Sequence, residues 1–334
     1  MRWTIAAVAL FGGLGAVAWG VMVRMPGTNF AGSPVVMTAD EVALRDELRR
    51  DVAELAGRIG ERNLVRFDAL EAAAVYVEAQ FGSAGYSVER NEFPVDTPQG
   101  MRSVRNVIAE VKGSSRAEEI VIIGAHYDSR EGTPGADDNA SGTAVVLALA
   151  RRFAKQHPAR TVRFVLFPNE EYFRQDSMGS VVYARLCRSR QENVVAMVSV
   201  ETIGYYSDVV GSQQYPFPIN LLYPDRGGFI GFVGSIASRA LVRDAIGAFR
   251  AGAGIASEGV AAPESVEGVD WSDHWAFWQE GYPGIMVTDT APFRNPNYHR
   301  ATDVPDTLDY NRMARVVSGL VRVVRALGSP GGRY

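Results

Sequence analysis

The stretch that decides the fold is residues 119–156, which read EIVIIGAHYDSREGTPGADDNASGTAVVLALARRFAKQ. It opens with a short run of β-branched and apolar residues, the pattern of a strand that is buried on both faces. A loop rich in Gly, Asp, Asn and Ser follows, and these residue types commonly begin helices. The last part carries apolar residues at helical spacing. This succession of buried strand, polar loop and helix is the building unit of a parallel sheet with helical cover.

The same alternation extends along the rest of the chain. Residues 161–171 (TVRFVLFPNEE) and 194–206 (VVAMVSVETIGYY) each contain another buried strand, and helical patterns lie between them. Upstream, YSVERNEFPV and VRNVIAEVKG form a pair of strands, and residues 311–327 form a closing amphipathic helix. We therefore predict an α/β fold, a mostly parallel mixed sheet sandwiched by helices, in a single domain over residues 39–334.

Composition limits the class of function. The 334 residues are 47% hydrophobic and 22% charged, with a formal net charge of −4 and no run of Lys and Arg. The sequence therefore lacks the clustered positive charge with which nucleic-acid-binding proteins contact phosphates. The single cysteine, Cys187, excludes an intramolecular disulfide framework and a four-cysteine zinc site. It lies in an apolar helical pattern, which predicts a buried structural thiol.

The N-terminus carries an export signal of one of two kinds. Residues 3–23 are uncharged and match the ~20 apolar residues that span a bilayer. They also contain Ala16-Val17-Ala18, a pattern that a signal peptidase can cleave. We predict that residues 1–24 are a signal anchor, holding the protein to the membrane through residues 4–23, or a cleaved signal peptide. Residues 25–38 are then a linker, and the rest of the chain is extracytoplasmic in both cases.

Ionisable side chains follow one buried strand after another. His126 and Asp128 end the first, Glu170 and Glu171 follow the second, and Glu201 ends the third, while the loop 135–142 adds two aspartates. The carboxyl ends of parallel strands meet at one edge of a sheet, where sites form. Burying carboxylates without a partner costs too much free energy to be explained by packing, so we expect a bound cation to neutralise them.

The donor set is suited to zinc, because it combines imidazole with carboxylate and contains no set of thiolates. Two metals bridged by a carboxylate would clamp a substrate from two sides. Asp128 stands two residues after His126 and could accept the second imidazole N–H, which would fix the tautomer of the ring.

These motifs together resemble the di-zinc aminopeptidase family of metallo-exopeptidases, whose relatives include glutamate carboxypeptidases and glutaminyl cyclases. The resemblance rests on five motifs in order: GAHYDS, GADDNASG, NEE at a strand end, SDH, and a late YHxxxD. It implies two Zn²⁺ per chain, with Asp137 bridging both metals. It further implies that one zinc is bound by His126 and Glu201 and the other by Glu171 and His299.

The resemblance also implies the catalytic roles. Glu170 would be the general base for the water that bridges the two metals, and Asp128 would support catalysis beside it. Tyr298 is a candidate substrate contact. His274, in the SDH motif, is either a second substrate contact or a hydrogen-bonding part of the architecture, and His157 is a surface residue. One position departs from the family, because many members carry Asp where this chain has Glu201.

The function implied is that of an aminopeptidase, which removes N-terminal residues from peptide substrates. Two alternatives stay open: a glutaminyl cyclase, which transfers an acyl group within one substrate, and a non-catalytic ectodomain of the same fold. The GADDNASG loop argues against the cyclase, and the presence of ligating side chains at all five positions argues against the ectodomain. The sequence leaves the oligomeric state and the preferred N-terminal residue open.

Overall fold

A computed structural model describes residues 20, 22–32, 36–217, 219–329 and 331. Its centre is one eight-stranded sheet with the strand order β1-β2-β4-β3-β5-β8-β6-β7. The strands are β1 Glu89–Thr97, β2 Gly100–Val111, β3 Arg116–His126, β4 Arg160–Phe167, β5 Asn193–Val200, β6 Phe229–Ser235, β7 Ala256–Ala262 and β8 Gly284–Thr288.

Strands β4, β3, β5 and β8 form a parallel core. β1 and β2 extend it as an antiparallel hairpin on one side, and β6 and β7, parallel to each other, join β8 in antiparallel fashion on the other. The predicted mostly parallel mixed sheet is confirmed. Because the four core strands point the same way, their carboxyl ends share one edge of the sheet, and that edge carries the ionisable loops.

Helices cover both faces of the sheet, and β3 shows why. Val121 and Ile123 pack into the larger apolar core on one face, while Ile120 and Ile122 pack into the smaller core on the other. A strand buried on both faces needs an unbroken apolar run, because successive side chains point to opposite sides. The helices are α1 Ala39–Val52, α2 Phe67–Ser83, α3 Gly142–Phe153, α4 Gly179–Ser189, α5 Arg239–Arg250, α6 His274–Gln279 and α7 Tyr310–Gly328.

Helix α4 bears the single cysteine, and Cys187 is buried there in the smaller core, as predicted. Helix α1 begins at a capping box in which the Thr38 side chain accepts the amide of Glu41 and the Glu41 carboxylate accepts the amide of Thr38. A π-helical segment, Ala53–Ile59, follows α1 directly.

The described part of the predicted linker contacts the domain. The Arg250 guanidinium donates to the carbonyl of Pro26, and the amide of Ser257 on edge strand β7 donates to the Asn29 side chain, 2.8 Å away. The predicted signal segment lies outside the described residues, except for residues 20 and 22–24. Among the residues that are described, no helix has both the length and the apolar character required to cross a bilayer.

Candidate metal centre

Three parallel strands deliver the central side chains. His126 is the last residue of β3, Glu201 follows β5 directly, and Glu170 and Glu171 lie in a turn three residues after β4. The loop before α3 adds Asp138 from a buried, irregular segment. The predicted convergence at the carboxyl edge of the sheet is therefore what the structure shows.

The side chains form two groups around one shared carboxylate. Asp138 Oδ1 lies 3.2 Å from His126 Nε2, which is also 3.3 Å from Glu201 Oε1. Asp138 Oδ2 lies 3.0 Å from His299 Nε2, which is 3.4 Å from Glu171 Oε2. In each group the potential ligand atoms lie within 4.8 Å of one another. Each group thus offers one imidazole and one carboxylate of its own, together with one oxygen of Asp138.

The prediction that Asp137 bridges the two metals is wrong in its residue, because the structure places Asp138 there. The Asp137 carboxylate is buried on the other side of the loop, where it accepts the amide of Gly204 at 2.8 Å and the Asn295 side chain at 2.7 Å. Asp138 has φ −111° and ψ 95°, an extended conformation that turns adjacent side chains to opposite sides. The peptide bond between Asp138 and Asn139 is cis.

The residues fit a metal pair. Glu171 Oε1 and Asp138 Oδ1 are buried and accept no hydrogen bond, an arrangement that proteins avoid unless a cation takes that place. Burial raises the pKa of Glu201 to about 7 and the pKa of Glu171 well above its usual range, and neighbouring carboxylates add to both shifts. Cations would relieve this crowding, and the donor set of imidazole and carboxylate without thiolate is suited to zinc.

Asp128 orients three of these groups at once. Its Oδ1 lies 3.2 Å from His126 Nδ1 and accepts the amide of Glu170 at 3.1 Å, while its Oδ2 accepts the amide of Glu171 at 3.2 Å. A proton on Nδ1 leaves the Nε2 lone pair directed at the centre, as the sequence suggested. Asp128 acts through these neighbours, so it is a positioning residue.

Two further positioning residues were missed by the sequence reasoning. Asp303 accepts the amides of Asp137 at 2.8 Å and Asp138 at 3.2 Å. It is the last residue of the quoted YHxxxD motif, which was the available signal. Arg62 is fully buried and donates to the carbonyls of Tyr127 at 2.7 Å and Gly135 at 2.9 Å. Nothing in the local sequence pattern marks it.

Glu170 lies beside the candidate metal ligands and belongs to neither of the two groups. Its Oε2 lies 3.9 Å from His126 Nε2. Burial raises the pKa of Glu170 well above its usual range; the His126 charge opposes this shift, and the neighbouring Glu201 adds to it. The sequence reasoning placed Glu170 and Glu171 on an extended strand end, but they lie in a turn that follows Asn169, whose φ is +63°. They still face different groups, because Glu171 approaches His299.

A largely apolar cavity opens beside the centre. Glu201 and Tyr298 belong to its lining on the side of the metal ligands. Aromatic and aliphatic side chains form much of the remaining wall, among them Tyr215, Tyr223, Phe229, Phe232, Val233, Val260, Trp271, Met286 and Phe293.

The two candidate substrate contacts have different positions. Tyr298 lines the cavity, and its ring stacks on His299 with 3.8 Å between the ring centroids. His274 is fully buried, its Nε2 lies 2.9 Å from the carbonyl oxygen of Val269, and burial lowers its pKa to about 4. His274 therefore has the position expected of the architectural alternative rather than that of a substrate contact. His157 is exposed, as predicted.

Comparison with known proteins finds a matching family model and a related protein that each cover most of the chain. The family model described as Peptidase family M28 matches residues 106–324. Protein YfbL of Escherichia coli strain K12 is 37% identical over 290 residues, which cover 84% of this chain and 87% of YfbL. A probable zinc metalloprotease of Pyrenophora teres f. teres is 36% identical over 124 residues, 35% of this chain and 24% of that protein.

Solved structures share the fold at low identity. BSAP, a zinc aminopeptidase from Bacillus subtilis, superimposes with a TM-score of 0.68 at 14% identity and covers 86% of this chain and 96% of its own. A glutaminyl cyclase from Fimbriiglobus ruber superimposes with a TM-score of 0.61 at 18% identity, covering 90% of this chain and 99% of its own. The fold is thus compatible with both chemistries, and the side chains of the centre must decide between them.

Proposed function

The chain belongs to peptidase family M28 and is a metallopeptidase, and from that premise we propose that it is a zinc-dependent aminopeptidase that binds two zinc ions. The observation that supports this proposal is the pair of ligand groups around Asp138. Each group is complete, with one imidazole and one further carboxylate. A cyclase with one zinc has no need of the second group.

The proposed ligands are His126, Asp138 and Glu201 for the first ion, and Asp138, Glu171 and His299 for the second. When bound, zinc would polarise the scissile carbonyl group and lower the pKa of a water molecule in the site towards ~7. Asp128 keeps His126 in the tautomer that presents Nε2 to the ion.

Glu170 is the proposed general base. It is within 3.9 Å of His126 Nε2, but no group of potential ligands includes it. It accepts the proton of the attacking water and later passes it to the leaving amine, which is the usual division of work in acid–base catalysis. Because the Glu170 side chain is almost closed to solvent, the proton that it takes from the water stays on this carboxylate until it passes to the leaving amine.

The cavity is the proposed pocket for the side chain of the N-terminal residue. Its apolar, aromatic wall is suited to a bulky apolar side chain, because burying such a group is worth ~1.5–3 kcal/mol. Besides the proposed ligand Glu201, the described residues that line it include Glu258 and Glu267 and neither Lys nor Arg. A negative lining favours a substrate with a free ammonium group over one with a terminal carboxylate.

A panel of aminoacyl amides tests the proposal on zinc-loaded protein. We expect hydrolysis of Leu, Met and Phe amides and weak activity on Asp and Glu amides. A peptide with N-terminal Gln separates the cyclase alternative, because cyclisation releases ammonia and keeps the residue, whereas hydrolysis releases free Gln. Cyclised product without free Gln, or no turnover of any member by metal-loaded protein, would contradict the proposed activity.

A further inference from the structure

The loop that carries Asp138 also holds the chain next to Glu201. Asp138 faces the candidate metal ligands, whereas Asp137 and Ser141 of the same loop bind the backbone that follows Glu201. Ser141 Oγ accepts the amide of Ile203 at 2.9 Å, and Asp137 Oδ1 accepts the amide of Gly204 at 2.8 Å. The loop therefore binds two consecutive amides that follow a candidate ligand.

Two more side chains complete this series. Asn139 Oδ1 accepts the amide of Thr202 at 3.3 Å, and Asp289 Oδ2 accepts the amide of Tyr205 at 2.7 Å. All four amides from residue 202 to residue 205 thus donate to side chains, in a segment without helix or strand. Regular structure fixes a backbone through its own hydrogen bonds, so here the side chains take over that task.

The backbone at this point needs such support. Thr202 has φ +53°, a left-handed conformation that is unfavourable for a β-branched residue and persists only where the surroundings enforce it. The two segments are also in close contact, because a Cβ built on Gly204 would lie 2.8 Å from Asp137 Oδ1. Any residue larger than glycine would push the segments apart.

Side chains from the same region also contact the carboxylate of Glu201. Asn139 Nδ2 donates to the carbonyl of Val200 at 2.9 Å and approaches Glu201 Oε2 at 3.3 Å. Ser272 Oγ donates to the same oxygen at 2.9 Å. The backbone on both sides of Glu201 and its side chain are therefore held from the loop 137–141 and from one serine.

We propose that Asp137 and Ser141 are positioning residues that hold Glu201 at the first metal ion through the amides of Gly204 and Ile203. This inference rests on the proposed two-zinc function. One segment then supplies the shared ligand Asp138 and sets the position of Glu201. The sequence analysis placed Asp137 among the metal ligands. In this proposal it binds the backbone of the segment that carries Glu201 and does not contact the ion.

Ser141→Ala tests the proposal with the smallest change, because it removes one hydroxyl. Thr161→Val is the matched control, since it also removes a buried hydroxyl, one that bonds Gly113 and Ala117 far from the centre. Each is made in a His299→Ala background, which leaves only the first metal group, and in a His126→Ala background, which leaves only the second. Zinc Kd is measured by competition with a chromophoric chelator, and the visible spectrum of the Co²⁺ form is recorded.

Loss of a group behind a metal ligand commonly weakens metal binding by ~10–100-fold. We expect Ser141→Ala to raise the zinc Kd by that factor in the His299→Ala background and to change the Co²⁺ spectrum there. In the His126→Ala background its Kd should stay near that of the background, and Thr161→Val should change neither. Asp137→Ala should have the larger effect, and Asp137→Asn, which keeps one acceptor oxygen, should recover part of it.

Two results would overturn the inference. One is a Ser141→Ala protein with the Kd and spectrum of the Thr161→Val control. The other is equal weakening of both metal groups, which would indicate displacement of Asp138. Failure of the proposed function looks different, because the unmutated protein itself would then bind fewer than two zinc ions or would hydrolyse no aminoacyl amide when loaded with zinc.

Discussion

The two halves of the candidate metal centre differ in how firmly their ligands are held. In the first half, the His126 ring is fully buried and its Nδ1 is paired with Asp128. Glu201 accepts a hydrogen bond from Ser272 and is approached by Asn139. His126 and Glu201 therefore each have a second partner that sets their orientation.

The second half lies nearer to solvent. The His299 side chain is 31% exposed, and its ring is supported mainly by stacking on Tyr298. Glu171 also lies 3.9 Å from Arg130, and that arginine is itself about half exposed. From this contrast we predict that an ion in the first half is held more firmly and that an ion in the second half, bound in part by the partly exposed His299, exchanges more readily.

The largest effect should come from Glu170, which lies beside the first half without being a ligand. Glu170→Gln preserves the shape of the side chain and removes the basic oxygen, so peptidase activity should fall by ~10²–10⁴-fold. Zinc content should remain at two ions per chain. Assays of kcat and elemental analysis on the same preparation test this, and near-normal activity in Glu170→Gln would require another proton acceptor.

Removing one histidine at a time should separate the two halves. His126→Ala removes a buried ligand, and His299→Ala removes a partly exposed one, so each should leave about one zinc per chain with sharply lower activity. On dialysis of the unmutated protein against a chelator, the ion held by His299 and Glu171 should leave first, because solvent reaches it. Two ions lost at the same rate would remove the distinction between the halves.

The pH dependence of stability should differ between the metal-free and the zinc-loaded protein. Burial raises the pKa of Glu201 and Asp303 to about 7, so the metal-free folded state keeps protons that the unfolded chain releases near pH 4. The folded state binds more protons in that window, and its free energy of unfolding falls as pH rises from about 4 to about 7.

Bound zinc would hold Glu201 in its ionised form, which removes the contribution of that carboxylate to the pH dependence. Raising the pH from 5 to 7.5 should therefore cost the metal-free protein on the order of 2–4 kcal/mol and cost the zinc-loaded protein less. Thermal unfolding of both forms at the two pH values is the measurement. A metal-free protein that is more stable at pH 7.5 would contradict the pKa assignments.

A smaller effect is expected from the arginine behind the first half. Arg62→Met leaves the carbonyls of Tyr127 and Gly135 without their buried donor, which should lower the free energy of unfolding by about 3 kcal/mol. Urea unfolding measures this loss. His157→Ala, at an exposed loop position, is the control and should stay within ~0.5 kcal/mol of the unmutated protein.

The sequence predicted the parts of the centre that depend on strand ends. His126, Glu171 and Glu201 follow buried strands. Parallel strands bring their carboxyl ends to the same edge of the sheet, whatever the conformation of the loops that follow. His299 was predicted from a motif, and the structure brings it to Glu171. The sheet class, the paired strands at its edge and the buried cysteine also follow from apolar patterning alone.

The remaining parts depend on backbone conformation that a pattern does not encode. Asp137 and Asp138 are adjacent and chemically identical, and only the φ and ψ of the loop decide which carboxylate faces the histidines. His274 has the polar character of a site residue, but packing buries it. Arg62 comes from a distant segment, and its role arises from carbonyl groups that tertiary contact brings to it.

The most direct test of the two-metal account is anomalous diffraction at the zinc edge from crystals of the zinc-loaded protein. The account predicts two peaks, one beside His126 and Glu201 and the other beside Glu171 and His299, with one oxygen of Asp138 directed at each. A single peak, or a peak pair bridged by Asp137, would contradict it.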